Sequence, residues 1–139
     1  LIVLAQQSDL DDIIEGGIKI DAKLSVALIE NIFFKNAPLH DGAAVVKDNR
    51  VVAAKCILPV TQSPVPKSYG TRHRAAIGIT ETSDAVVVVV SEETGGISVA
   101  FRGQIERNIA PQNLQQTISK HLIGSTNDKR SRRKETATE

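Results

Sequence analysis

The stretch Ala85-Val86-Val87-Val88-Val89-Val90 decides the fold, because it contains five consecutive valines. Such a run predicts a strand that is buried on both faces at the centre of a sheet. It leads into a polar turn at 91–96 that ends in two glycines, and residues 97–102 then alternate as a hairpin partner. Gly103-Gln104 predicts a further turn before a short return strand at 105–107. This half of the chain is therefore expected to be an antiparallel meander.

A second hairpin is predicted upstream of the valine run. Residues 43–47 are rich in β-formers, Asp48-Asn49 is typical of a tight turn, and residues 50–58 supply the partner strand. The apolar residues 1–5 predict one more short, buried strand. The sheet is thus built largely from hairpins.

Helical periodicity appears in three places. Asp21 is predicted to cap a helix that starts at Ala22 and ends before Pro38, and a second helix is predicted at 71–82. Pro111 favours the first turn of a last helix, for which Gly124 is the stop signal. Residues 6–17 are expected to form a polar connection, and the proline-rich residues 59–70 an irregular loop. Together these patterns predict an α/β domain with a mixed, largely antiparallel central β-sheet flanked by helices.

Length and charge favour one domain. The 139 residues carry 17 basic and 16 acidic side chains, and five of the basic ones lie in 124–139. We therefore predict a domain over residues 1–123 and a disordered basic tail over 124–139. The remaining body has 12 basic and 13 acidic residues, so its overall charge gives no support for a nucleic-acid partner.

The chain lacks methionine and opens directly in an apolar run, so we expect it to be an excised piece of a longer protein. No segment reaches the length of a transmembrane helix, and any membrane contact is expected to come from segments outside this sequence. Cys56 is the single cysteine, which excludes an internal disulfide and a cysteine metal site. We expect its thiol to be buried and inert.

Three polar stretches follow or precede the predicted strands and helices, and their chemistry is complementary. They are His40-Asp41-Gly42-Ala43, Thr71-Arg72-His73-Arg74 and Ser91-Glu92-Glu93-Thr94-Gly95. Carboxylates are ligands for Mg²⁺ or Mn²⁺, arginines and hydroxyls bind phosphate, and glycines allow close approach of the backbone. This combination suits phosphoryl or nucleotidyl transfer. The sequence contains neither a P-loop motif nor a dinucleotide-binding glycine motif.

Each stretch also has a purely structural interpretation. Asp41-Gly42 alone is typical of a turn, Glu92-Glu93 of a solvated loop, and a single histidine of a hydrogen-bonded structural residue. Composition and spacing alone place a phosphate-handling enzyme only modestly ahead of a plain ligand-binding module.

The order and flanks of these motifs resemble the diadenylate cyclase domain. Asp-Gly-Ala at 41–43, Gly-Thr-Arg-His-Arg-Ala-Ala at 70–76 and Ser-Glu-Glu-Thr-Gly at 91–95 are similar to that family's three recurrent stretches. The resemblance covers approximately residues 16–122 and is greatest to the membrane-anchored bacterial type. It implies a cytoplasmic domain whose parent is anchored to the bacterial cell membrane.

The resemblance also implies an activity. Such a domain condenses two ATP into cyclic di-AMP and two pyrophosphates, with one ATP in each subunit of a face-to-face homodimer and Mg²⁺ or Mn²⁺ as cofactor. A non-catalytic adenine-nucleotide-binding regulatory module is the alternative.

Site residues are carried over from the family motifs. The catalytic group comprises Asp41, Arg72, His73 and Arg74. The resemblance implies that Asp41 and Glu93 are metal ligands, with His40 as an additional candidate. Substrate contacts are expected from Gly42, Ala43, Leu58, Thr71, Ser91, Glu92, Thr94 and Gly95. Related domains often have an aromatic residue where this chain has Ile57, so aliphatic packing is expected to replace stacking on the base.

Overall fold

The structure is a computed structural model and describes residues 1–122. Seven strands form one sheet: β1 Ile2–Leu4, β2 Ile18–Lys23, β3 Ala43–Lys47, β4 Arg50–Cys56, β5 Val86–Val90, β6 Ile97–Phe101 and β7 Gln104–Glu106. The helices are α1 Asp11–Glu15, α2 Val26–Ile32, α3 Thr71–Glu81 and α4 Leu114–Ser119, the last preceded by a 3₁₀ turn at Pro111–Asn113. The predicted mixed, largely antiparallel sheet flanked by helices is confirmed.

Strand β5 is central, as the valine run predicts. The strand order is β2-β4-β3-β1-β5-β6-β7, so β5 lies between β1 and β6. Val87 and Val89 belong to the core on one face, whereas Val86 and Val88 belong to the core on the other. Because successive side chains of a strand point to opposite faces, this division shows that both faces of β5 are covered.

Strand β1 joins the two halves of the sheet. It pairs parallel with β3, with Val3 opposite Val45, and antiparallel with β5, with Val3 opposite Val87. The other pairings within residues 1–122 are antiparallel. The predicted hairpin of β3 and β4 turns at Asp48 and Asn49, whose φ values are 52° and 63°. Positive φ at both turn residues is characteristic of the tight turns that match strand twist.

Helix α3 lies against β5 and β6 and carries the second polar motif at its first turn. Ala75, Ala76 and Ile79 are buried in the main core. Gly78 lies directly under the proline-rich loop, since a Cβ at this position would be 2.0 Å from the Pro59 carbonyl oxygen. The loop is further attached because Thr61 donates its backbone N–H to the Arg74 carbonyl (3.0 Å).

The Asp84 carboxylate holds the segment that precedes β5 against the segment that follows β1. The Asp84 side chain accepts the backbone N–H groups of Gln7 and Ser8, each at 3.0 Å, and the Asp84 N–H donates to the Ser8 hydroxyl at 2.9 Å. Burial by itself would raise the pKa of Asp84, but these hydrogen bonds outweigh it and the pKa is lowered. The contact fixes the segment after β1 to the start of β5.

Two of the predicted elements are different in the structure. Asp21 does not cap a helix: it lies within β2 at a register shift, with φ of 50°, and its carboxylate accepts from Arg50 Nε at 2.9 Å. The helix starts later, and the Ser25 hydroxyl caps it by accepting from the Leu28 N–H at 3.1 Å. Residues 6–17, expected to be only a polar connection, contain α1. Pairing with β4 and burial of Leu10 explain these differences.

The last helix begins as predicted near Pro111 but ends at Ser119. Gly124, the domain boundary at 123 and the basic tail at 124–139 lie outside the described residues, so those expectations remain predictions.

Candidate active site

A cleft of about 360 Å³ opens between the end of β4, the first turn of α3 and the turn after β5. Its lining comprises Leu1, Asp41, Gly42, Cys56, Ile57, Leu58, Val60, Thr71, Arg72, Ala75 and Glu92. The cleft therefore brings together residues from all three polar stretches. Its volume is in the range of sites that hold one small ligand.

Gly42 determines how Asp41 reaches the cleft. Its φ is 83°, and a Cβ at this position would lie 2.7 Å from the Cys56 carbonyl oxygen. Only glycine fits such a position without strain. The Asp41 side chain is 77% exposed at the cleft, and its Oδ1 is 3.4 Å from His40 Nε2. His40 is oriented from its other side by a 2.7 Å hydrogen bond between Nδ1 and the Ala37 carbonyl.

Arg72 is held at the cleft by two acceptors. Its Nη1 donates to the Val90 carbonyl at 3.2 Å, and its Nη2 forms an ion pair with Glu92 Oε1. Thr71 and Arg72 belong to the first turn of α3, where backbone N–H groups are directed outward. A guanidinium beside a helix start is well suited to bind phosphate oxygens.

Apolar side chains form the remainder of the cleft. Leu58 and Ala75 are buried, whereas Ile57 is 80% exposed and Val60 is 42% exposed at the edge. Aliphatic surface of this kind can pack on the face of a planar base. Burial raises the pKa of the Cys56 thiol, which agrees with the buried, inert cysteine expected from the sequence.

His73 and Arg74, in the same motif as Arg72, do not line this cleft within the single chain. His73 is buried, with its ring 5.7 Å from that of Tyr69, and Arg74 donates Nε to the Tyr69 carbonyl at 3.2 Å. The Arg107 guanidinium lies over the Tyr69 ring, 4.7 Å from the ring centre. Burial, and secondly the charge of Arg107, lowers the pKa of His73. The catalytic roles of His73 and Arg74 remain predictions.

The turn at 91–95 contributes Glu92 to the lining, but Ser91, Glu93, Thr94 and Gly95 are outside it. The Ser91 hydroxyl accepts the Thr94 N–H at 3.3 Å, and the Thr94 hydroxyl accepts the Gly96 N–H at 3.1 Å. These hydroxyls therefore stabilise the turn itself. Ala43 is fully buried in β3 and does not belong to the lining. The substrate contacts expected of Ala43, Ser91, Thr94 and Gly95 remain predictions, and so does the role of Glu93 as a metal ligand.

The predicted metal ligands do not form a complete protein cage. Within residues 1–122, no group of three or more His, Cys, Asp or Glu side chains is placed to hold a metal ion. Asp41 and His40 are neighbours, and Asp41 and Glu92 are the carboxylates in the lining. An arrangement of this kind suits Mg²⁺ or Mn²⁺ only if a ligand's own phosphates complete the coordination, which is the usual manner of binding for Mg²⁺.

Sequence reasoning missed part of the lining, namely Leu1, Val60, Ala75 and the contribution of Cys56. Ala75 could have been found, because it lies three residues after Arg72 and therefore on the same face of α3. Leu1, Cys56 and Val60 reach the cleft only because the sheet places β1, the end of β4 and the loop at 59–70 beside one another, which no local pattern predicts.

The α/β fold, with a cleft for a small ligand beside the start of a helix, defines a ligand-binding class of domain, and comparison with known proteins identifies the family. The family model described as "DisA bacterial checkpoint controller nucleotide-binding", DAC, matches residues 1–105. The chain belongs to the DAC family, as its three motifs predicted.

Individual relatives agree with this assignment. Cyclic di-AMP synthase CdaA of Bacillus subtilis is 43% identical over 134 residues, covering 96% of this chain and 49% of that protein. A diadenylate cyclase of Listeria monocytogenes is 46% identical over 127 residues, covering 91% of this chain and 46% of that protein. The chain thus spans about half the length of these curated relatives.

Solved structures share the fold. A double mutant of DacA from Staphylococcus aureus superposes with a TM-score of 0.84 at 45% identity, covering 88% of this chain and 83% of that one. A hypothetical membrane spanning protein from Bacillus cereus superposes with a TM-score of 0.75 at 46% identity. The match covers 78% of this chain and 54% of that one. Within the described residues of the present chain, none of the helices is both long and apolar enough to cross a bilayer.

Proposed function

We propose that this chain is a diadenylate cyclase catalytic domain, which condenses two ATP into cyclic di-AMP and two pyrophosphates. The observation that carries the proposal is the cleft itself, which combines Asp41, Thr71 and Arg72 with an apolar wall at Leu58. A relative named as a cyclic di-AMP synthase, at 43% identity, and one named as a diadenylate cyclase, at 46%, support the same activity.

Each group has a role in this reaction. Arg72 and the first turn of α3 bind the triphosphate, while Leu58 and Ile57 pack on the adenine. The Asp41 carboxylate accepts the proton of the 3′-hydroxyl as that oxygen attacks the α-phosphorus of the second ATP. The new P–O bond replaces the bond to pyrophosphate, which leaves. Two such transfers close the ring of cyclic di-AMP.

The active unit is a face-to-face homodimer. A cleft of about 360 Å³ has room for one nucleotide, whereas the product contains two. Each 3′-hydroxyl must therefore meet the α-phosphate of a nucleotide that another copy holds. His73 and Arg74, which lie outside the cleft of their own chain, are proposed to complete the site in the dimer.

Mg²⁺ or Mn²⁺ is the proposed cofactor: Asp41 would hold it, with Glu93 and His40 as further candidate donors and with the nucleotide phosphates completing the coordination. The lining contains two carboxylates and one guanidinium, so it does not by itself neutralise a triphosphate. A bound divalent cation would supply that missing positive charge at the phosphates.

The parent protein is proposed to be membrane-anchored, with this domain on the cytoplasmic side of a bacterial membrane. The support is that the chain matches just over half of a B. cereus protein titled as membrane spanning.

The test is incubation of the chain with ATP and Mn²⁺ or Mg²⁺ over a range of protein concentrations, with products separated by chromatography and identified by mass. Cyclic di-AMP should form, and its rate should rise faster than linearly with protein concentration. ATP that is bound by a proven dimer but left unconverted would instead support the regulatory-module alternative.

Asp41→Asn tests the role assigned to the Asp41 carboxylate. It should lower turnover by about 100-fold or more, because it removes both the proton acceptor and a metal ligand, while ATP binding partly survives. Asp48→Asn is the control, since Asp48 is an exposed residue in the β3–β4 turn. Equal turnover of the Asp41 variant and its control would contradict the assigned role.

A further inference from the structure

The ion pair between Arg72 and Glu92 lies inside the cleft, where the phosphates are proposed to bind. Glu92 comes from the turn after β5 and reaches the first turn of α3. We propose that Glu92 is a specificity-determining residue: its carboxylate occupies Arg72 until a phosphate replaces it, and it disfavours polyphosphates that arrive without a divalent cation. This inference rests on the proposed function of the cleft.

The geometry makes Glu92 a substitute for a phosphate group. A carboxylate and a phosphate both accept from the edge of a guanidinium, and they compete for the same N–H donors. Arg72 keeps its Nη1 bond to the Val90 carbonyl, which fixes the side chain independently of Glu92. Loss of the ion pair would therefore leave Arg72 in place and available to a ligand.

The pair is also weak enough to be exchanged. The side chains of Arg72 and Glu92 are 31% and 66% exposed, respectively. Exposed ion pairs change an equilibrium constant by at most about fivefold, because water and salt screen them. Glu92 can thus delay or weaken binding at Arg72, but it cannot block a multiply charged ligand.

The charges around the pair explain the discrimination. Asp41 and Glu92 are the acidic groups of the lining and Arg72 is its basic side chain. A polyphosphate without a bound cation is repelled by both carboxylates, and it must also displace Glu92 from Arg72. A divalent cation carried by the phosphates compensates the displaced carboxylate, and the competition is then largely relieved.

The experiment measures dissociation constants for ATP and for inorganic tripolyphosphate, with EDTA and separately with Mn²⁺. Glu92→Gln should tighten metal-free binding of both ligands about fivefold and should change binding of the Mn²⁺ complex by less than about twofold. Glu106→Gln is the matched control, because Glu106 is an exposed carboxylate paired with Lys120 at β7, outside the cleft lining.

A double-mutant cycle separates competition for Arg72 from general repulsion. In an Arg72→Gln background, Glu92→Gln should change metal-free binding by less than about twofold, since no guanidinium remains to be released. Thermal melts check that each variant is folded. Weaker or unchanged metal-free binding by Glu92→Gln would overturn the inference, and so would a full effect in the Arg72→Gln background.

These outcomes are distinct from failure of the proposed function. If the parent chain binds no ATP with Mn²⁺ and makes no cyclic di-AMP, the assignment of the cleft itself is wrong. If it does both but Glu92→Gln fails to tighten metal-free binding, only the role of Glu92 is refuted.

Discussion

Gly78→Ala offers a sharp test of how the proline-rich loop is packed on α3. In the interior of an exposed helix, replacing Gly by Ala usually stabilises a protein by up to about 1 kcal/mol. Here the added Cβ would lie 2.0 Å from the Pro59 carbonyl oxygen and 2.9 Å from the Thr61 nitrogen. Ordinary contacts require about 3.4 Å or more, so the loop and the helix must separate.

The loss of stability expected for Gly78→Ala follows from the contacts that hold α3 and the proline-rich loop together. On its other side α3 is fixed in the core through Ala75, Ala76 and Ile79, so the loop must move. Its movement would disturb the Thr61 N–H bond to Arg74 (3.0 Å) and the Thr61 hydroxyl bond to Glu81 (2.8 Å). Overpacking costs about 1–3 kcal/mol, and each disturbed hydrogen bond adds about 1 kcal/mol. After subtraction of the helix-propensity gain, the free energy of unfolding should fall by about 3 kcal/mol.

Urea unfolding measures this change. The midpoint for Gly78→Ala should decrease while the m-value remains that of the parent, and the melting temperature should fall by about 10 °C. Gly16→Ala is the control, because its Cβ would meet no atom closer than the Asp12 carbonyl oxygen at 3.6 Å, and it should stay within about 0.5 kcal/mol of the parent. A Gly78→Ala protein as stable as the parent would refute the close packing of loop and helix.

Two further predictions concern buried titratable groups. Burial and Arg107 lower the pKa of His73 below its ordinary 6.5, so the folded state binds this proton less well and stability should fall as pH drops below about 6.5. Urea midpoints at pH 5 and 7.5 should therefore differ more for the parent than for His73→Gln; equal differences would exclude His73 as a source. The pKa of Asp84 is lowered from 3.8, so its contribution is present above about pH 4 and is lost on acidification through the folded pKa. At pH 7, Asp84→Asn should cost about 1–3 kcal/mol because an amide NH₂ replaces one acceptor, and a melting temperature equal to that of Asp48→Asn would contradict this.

The sequence was most informative where a local pattern and the sheet required the same conformation. The valine run predicted the central strand, and Asp48-Asn49 predicted a turn whose positive φ values the structure confirms. The helix cap predicted at Asp21 is wrong, although a carboxylate before an apolar helical pattern is a common capping signal. The register of β2 on β4 overrides that signal, and the distant Arg50 binds the same side chain.

The candidate site was predictable only in part. A motif shows which residues are adjacent in the sequence, but it does not show which of them line the same surface. Arg72 and His73 are consecutive, but successive residues of a helix point about 100° apart, so the first lines the cleft and the second is buried against Tyr69. The pairing of Arg72 with Glu92 joins residues 20 positions apart. Such a contact depends on the placement of α3 beside the end of β5, which no local pattern encodes.

The position of β1 has a consequence for how the chain assembles. Ile2–Leu4 are synthesised before every residue with which they pair, yet they connect the β2–β4–β3 half to the β5–β6–β7 half. Each half contains a hairpin of consecutive strands, β3–β4 in one and β5–β6 in the other, whereas Val3 pairs with the distant Val45 and Val87. Long-range pairing of this kind slows folding. During translation, these three residues are made before the strands of either half, although they pair with one strand from each.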